Sequence, residues 1–311
     1  MCINLKVEEL KIKVPWGHIA AKLWGPKNVR PILTIHGWQD NAGTFDTLIP
    51  LLPEDTSYLA IDLPGHGLSS HFPDGLLYSQ IDMLHTIELI RETFNWEKIS
   101  FFTHSLGAQL AFQYSSMYPD KSDFFIGIDT LMPHIRNTDY MVDFYTQQLP
   151  LLRKNSERLR KKTQPPLYTY NEMVETMHKS SFNSVSTEAA PYLLERAITK
   201  STTKPEKYFF HRDNRLKFFN FSTYTQAIIL SLAKNIKIPH LNIKASGSPY
   251  EEQTMINNYN EVHKFFKENN PLFESTITDG THHVHLNYPL KISGTISNFI
   301  NKYKQIVCKP I

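Results

Sequence analysis

The sequence predicts an α/β protein: a mostly parallel, doubly wound sheet interrupted by a helical insertion. Two observations carry that reading. Short apolar runs ending in turns alternate with stretches whose apolar residues recur at three- and four-residue steps, the pattern of strands and helices built around a parallel sheet. Glycine is scarce, 12 in 311 residues, and none falls between Gly127 and Gly247. That interval is rich in Lys and Arg and has helical periodicity, so it reads as an insertion rather than as more sheet.

Taken in order, residues 5–24 read as two antiparallel strands joined near "PWGH". The third to sixth strands are "PILTIHGW", "SYLAIDLPGHG", "KISFFTHSLG" and "DFFIGIDT". The helix "LLYSQIDMLHTIELIRETFN" precedes the fifth strand and "LGAQLAFQYSSMYP" follows it. "IPHLNIKAS" and "FESTITDG" supply the seventh and eighth strands, with the helix "EEQTMINNYNEVHKFFKEN" between them. The insertion, residues 133–235, is read as helical from "MVDFYTQQLPLLRKNSERLRKK", "NEMVETMHKS" and "TEAAPYLLERAITK". It follows the sixth strand and splits a core domain made of residues 1–132 and 236–311.

The bulk composition narrows the function. A chain of 311 residues, 41% hydrophobic and 20% charged, can bury a large core. A net charge of +3 is too small to argue for nucleic acid or an anionic membrane. No apolar run approaches the roughly 18 residues of a membrane span. The two cysteines, Cys2 and Cys308, stand at opposite ends and imply neither a disulfide framework nor a metal site. With no signal-type apolar stretch near the start, a cytoplasmic placement is expected, other intracellular compartments such as the peroxisome remaining open. Oligomeric state is not legible.

The glycines mark turns at strand ends: Gly37 in "IHGW", Gly65 and Gly67 in "DLPGHG", Gly107 in "HSLG" and Gly280 in "DGTHH". At Ser105 a strand runs directly into a helix. A serine at such a junction stands exposed above the sheet on a tight turn, over a helix N-terminus. Small residues two before and two after relieve crowding; Gly107 meets the second need, and Thr103 stands where glycine would meet the first. The competing reading is a helix-capping serine. Acyl transfer needs two N–H groups aimed at the developing oxyanion, and here they would be those of Trp38 and Leu106. His36 is read as a loop brace. Serine needs a base to attack near neutral pH, and the turn after the last strand offers His282, His283 and His285. An acid must orient the imidazole. Asp129, after the sixth strand, gives the order Ser, Asp, His; Glu251, after the seventh, is the alternative acid.

The stretches "HGWQDNAGTFDTLIPLLP", "AIDLPGHGLSS", "THSLGAQLA", "IDT", "RDNRL", "IKASGSPYEE" and "GTHHVHLNYP" span nearly the whole chain. Together they resemble the α/β-hydrolase fold family, and more narrowly the animal serine hydrolase-like proteins. In that family the histidine stands seven residues before a proline, and Pro289 then selects His282. The resemblance implies a serine hydrolase with a helical cap over its active site. It also implies acyl transfer, because members that open epoxides or displace halides carry aspartate where Ser105 stands. The chain departs from the pattern at Thr103 and in lacking an aspartate after the seventh strand; related capped hydrolases place the acid after the sixth, as Asp129 is placed.

The expected activity is therefore cleavage of an ester, thioester or related acyl bond by Ser105, His282 and Asp129, with no organic cofactor and no metal. Carbon–carbon bond hydrolysis or a lyase reaction on the same residues is the alternative chemistry, and a non-catalytic ligand-binding homologue the alternative class. The substrate is expected to be a small, partly apolar acyl compound. The insertion's "DFYTQQLPLL", "YFFHRDNRLKFF" and "STYTQAIILSL" are open to two readings, walls of an apolar pocket or the insertion's own core. "RDNRL" reads as a salt-bridged brace, with no catalytic part for Arg212 or Asp213.

Overall fold

The computed structural model describes residues 7–135, 138–160, 165–218, 224–248 and 253–307. Strands β1 (Val7–Val14) and β2 (Gly17–Trp24) form an antiparallel hairpin closed at Pro15 and Trp16. Next come β3 (Ile32–Ile35), β4 (Tyr58–Ile61), helix α1 (Gln80–Thr93), β5 (Ile99–His104), α2 (Leu106–Met117) and β6 (Ser122–Ile128). The interval up to the next sheet strand holds α3 (Thr138–Arg160), α4 (Tyr170–Ser180), α5 (Ala190–Leu194), β7 (Ile198–Lys200), β8 (Tyr208–Phe210) and α6 (Gln226–Ala233). The chain then completes the sheet with β9 (His240–Gly247), α7 (Gln253–Asn269) and β10 (Phe273–Thr281). It ends with α8 (Val284–Asn287), α9 (Leu290–Lys302) and the short α10 (Lys304–Val307). The seventh and eighth strands expected from the sequence are thus β9 and β10.

The main sheet has eight strands in the order β1-β2-β4-β3-β5-β6-β9-β10. Every pairing from β4 to β10 is parallel, and the hairpin joins through the antiparallel β2–β4 pair. Strands β3 to β6 are buried along their whole length, as parallel strands covered on both faces must be. Their side chains alternate between two cores, with period two. Leu33, Leu59, Phe101 and Phe125 face α1, α2, α6 and α7. Ile32, Tyr58, Phe102 and Phe124 face the turns at 42–52 and α9.

Local chemistry explains several boundaries. Helix α1 starts at a capping box, Ser79 accepting from the Asp82 amide while the Asp82 carboxylate takes the Ser79 N–H. Helix α4 begins in the same way with Thr169 and Glu172. The stretch "TEAAPYLLERAITK" is only partly helical. Its "ITK" becomes β7 and pairs antiparallel with β8, Ile198 opposite Phe210 and Lys200 opposite Tyr208. β-branched and aromatic residues favour that pairing over another helical turn. The segment between β6 and β9 is therefore not wholly helical. It has a small core of its own, formed by Met173, Met177, Val185, Leu193 and Leu194 with Tyr208 and Phe210 beside them. Helix α6 packs elsewhere, its Ile229 and Ala233 lying in the same core as α2 and α7.

Candidate active site

Strands β3 and β5 are neighbours, Ile35 opposite Thr103, although β4 intervenes in the chain and lies on the far side of β3. The winding of the sheet reverses there. In open parallel sheets such a reversal leaves a crevice at the carboxyl ends of the strands, and the turns "IHGW" and "THSLG" both open onto it.

Ser105 joins β5 to α2 with φ 53° and ψ −114°, a left-handed conformation that costs a non-glycine residue about 1–3 kcal/mol. The turn is held by the Ser105 N–H on the Ile128 carbonyl, 3.2 Å, and the Gly107 N–H on the His36 carbonyl, 3.1 Å. Gly107 is obligatory here: a Cβ would lie 2.2 Å from the Ile35 oxygen. Thr103 is accommodated with its hydroxyl bonded to the neighbouring strand. It is fully buried, opposite Gly127, and its hydroxyl donates to the Ile126 carbonyl at 2.7 Å.

The "IHGW" loop presses on the serine, since a Cβ on Gly37 would lie 3.1 Å from both Ser105 Cβ and His104 Nδ1. His36 accepts the Leu63 N–H at Nε2, 3.0 Å, and donates from Nδ1 to the Gly37 carbonyl, 2.7 Å, so it braces the loop. The Trp38 indole donates to the Leu216 carbonyl, 2.9 Å, tying the loop to the insertion. Leu106 is the first residue of α2, where backbone N–H groups have no partner within the helix.

Asp129 follows β6 and also has a positive φ, 54°. Its Oδ2 accepts from His282 Nδ1 at 2.5 Å, and its Oδ1 from the Ala245 amide at 2.8 Å and the Lys244 ammonium at 3.2 Å. Burial pushes the Asp129 carboxyl up. The bond and charge of His282, Lys244 and the Ala245 amide outweigh that and hold it below the usual carboxylate range. Burial pushes His282 below its ordinary 6.5, with Asp129 opposing only in part. Because a carboxylate only accepts, Nδ1 of His282 carries the proton and Nε2 is left as the basic nitrogen.

Ser105 and His282 line one cavity of about 100 Å³, together with Trp38, Asp40, Met177, Phe182, Val185 and Arg212. Its apolar wall comes from α4, the turn after it and Leu193, not from the three aromatic stretches of the insertion. Tyr208 and Phe210 lie in the insertion's own core, and Tyr224 packs against the main one. A larger cavity of about 400 Å³ lies beyond Asp129, lined by Leu131, Met132, Ile135, Met255, Tyr259 and Ile277 among others. It reaches neither Ser105 nor His282. Glu251, the alternative acid, lies outside the described residues.

The three histidines of "THHVH" part company. His282 turns to Asp129, His283 lies 3.6 Å from Asp40 Oδ2, and His285 bonds the Thr44 hydroxyl at 2.8 Å. The His104 ring packs against all three, at centroid distances of 4.1 to 4.9 Å, and donates to the His282 carbonyl at 2.9 Å. Burial pushes His104 and His285 well below the usual histidine range, so these two rings pack against each other in the neutral form. Sequence reasoning missed Lys244 and Asp40. A lone charged residue inside the mostly buried β9, HLNIKASG, was the available signal for the first. Asp40 gave none.

The α/β hydrolase fold model matches residues 30–286. A probable serine hydrolase of Drosophila melanogaster is 37% identical over 95% of this chain and 88% of its own length. A serine hydrolase-like protein of Danio rerio is 30% identical over 94% and 88%. A hypothetical protein of Pseudomonas aeruginosa, known from its crystal structure, superposes with a TM-score of 0.77. It is 27% identical, covering 96% of this chain and all of the other.

Proposed function

The chain belongs to the α/β-hydrolase fold family, and on that premise we propose that it is a serine hydrolase acting on an ester, thioester or related acyl bond. One observation supports this above the others. Ser105 sits on a strained strand–helix turn in the same cavity as His282, whose ring is held at its far nitrogen by the Asp129 carboxylate.

His282 Nε2 takes the proton of Ser105 Oγ as the oxygen bonds to the substrate's carbonyl carbon. The electron pair moves to the carbonyl oxygen, where the Trp38 and Leu106 N–H groups stabilise it. His282 then gives its proton to the leaving group, which departs and leaves the acyl group on Ser105. Water loses a proton to Nε2 and attacks the acyl carbon; the bond from that carbon to Ser105 Oγ then breaks, Oγ takes the proton back from Nε2, and the acid leaves. Asp129 stays ionised throughout and balances the imidazolium; Lys244 and the Ala245 amide position that carboxylate. The elements from α3 to β8 form the cap in this reading, and α6 belongs to the core.

Intact mass after exposure to a fluorophosphonate probe tests the proposal, with Ser105→Ala as control. A single adduct, absent in the variant, is expected. No adduct on folded protein would move the chain to the non-catalytic binding class.

A further inference from the structure

We infer that Arg212 is a subsite for an anionic group on the substrate, so that the bond cleaved belongs to a short acyl compound carrying a carboxylate. The inference deepens the hydrolase reading and rests on it for the word substrate; anion binding itself does not need catalysis.

Three arginines of the segment between β6 and β9 lie beside the core turns or the cavity, and two have dedicated acids. Arg196 meets Asp62 at 2.9 Å and also Glu9. Arg215 meets Asp213 at 2.6 Å and donates to the Phe72, Pro73 and Leu76 carbonyls. Arg212 lines the cavity beside Ser105 and His282. Among the described residues its guanidinium meets no carboxylate and no hydrogen-bond acceptor. Its partner is the face of Phe210, 4.8 Å from the ring centroid. Asp40, the one acid among the cavity's described lining residues, faces His283 and His104 instead, at 3.6 and 3.9 Å.

Arg212 is half-buried, and a guanidinium even partly withdrawn from water without an anion is costly. Burial pushes Arg212 below the usual arginine range, and only Tyr168 opposes it. Lys217 adds to the imbalance: it too is pushed down, by burial and then by the charge of Arg212. The two cations thus repel each other, and of the two Arg212 lines the cavity while Lys217 is exposed outside it. The planar fork of arginine fits a carboxylate through two parallel bonds. At about 100 Å³ the cavity is well below the roughly 300–1,000 Å³ of sites for drug-sized ligands. The anionic group therefore lies within a few bonds of the carbonyl that Ser105 attacks.

The test compares monoethyl glutarate with ethyl valerate, a pair of similar length differing in charge. Wild-type kcat/KM should be higher for the half-ester by roughly tenfold or more, the scale of a charge-assisted bidentate pair. In Arg212→Gln that ratio should fall to near one, chiefly through KM for the half-ester. In parallel, calorimetry on Ser105→Ala should show saturable binding of monoethyl glutarate, lost when Arg212→Gln is added. A wild-type ratio near one, or a preference kept in Arg212→Gln, overturns the inference while leaving the hydrolase reading intact. If neither ester is hydrolysed and the probe does not label Ser105, the hydrolase reading fails and calorimetry alone decides the subsite: binding that depends on Arg212 upholds it, no saturable binding ends it. The wild-type and Ser105→Ala comparisons need no folded Arg212 variant.

Discussion

At His282 two influences oppose each other. Burial disfavours the imidazolium, while the Asp129 carboxylate at 2.5 Å favours it; burial wins, so the ring stays neutral to lower pH than a free imidazole. A base must be neutral to act. The acidic limb of kcat/KM against pH should therefore lie below 6.5, the ordinary value. In Asp129→Asn the favouring charge is gone, so the limb should move further down while turnover drops by roughly three to four orders of magnitude. A pH profile of both proteins measures the two effects together. A limb above 6.5 in the wild type, or near-normal turnover in Asp129→Asn, would rule out this acid. Reading Asp129 as the acid from the sequence required only its position at a strand end. Its support from Lys244 was hidden because Lys244 reaches it across the β6–β9 pairing, which sequence spacing does not reveal.

At the scale of elements, the turn "DLPGHG" wraps one carboxylate. Asp62 accepts the Ala42 and Leu68 amides, both at 2.8 Å, and a Cβ on Gly67 would lie 2.3 Å from its carboxyl. The segment between β6 and β9 locks onto that knot through Arg196, and onto the next turn through the Asp213–Arg215 pair, which also takes the Tyr78 hydroxyl at 2.8 Å. "RDNRL" is thus a brace through its second arginine; reading Asp213 as structural matches this geometry, whereas Arg212 faces the cavity. Removing one partner of a buried pair strands the other's charge. Arg215→Met should accordingly cost about 3–5 kcal/mol, read as a lower urea midpoint at unchanged slope. A loss under about 1 kcal/mol would mean that the pair is idle.

For the whole molecule, what the sequence discloses follows the range of the forces involved. Strand and helix positions are legible because alternation is local, and the sheet's glycine-marked turns are legible because backbone crowding selects glycine. The hairpin β7–β8 is not, since three-residue strands carry too little pattern. The lining of the cavity is not either: the residues that meet around Ser105 come from five stretches besides its own, and the packing of the segment between β6 and β9 on the sheet decides which side chains face inward. Sheet topology does the largest share of assembly. Ser105 and Asp129 leave adjacent strands, with His104 opposite Ile128 in the ladder, so only His282 has to be brought in from a distant part of the chain.

Six described residues other than glycine have positive φ, and Gln39, Ser105 and Phe182 among them line the cavity while Asp129 stands behind it. Glycine at 105 or 129 would relieve the backbone of that discomfort at once.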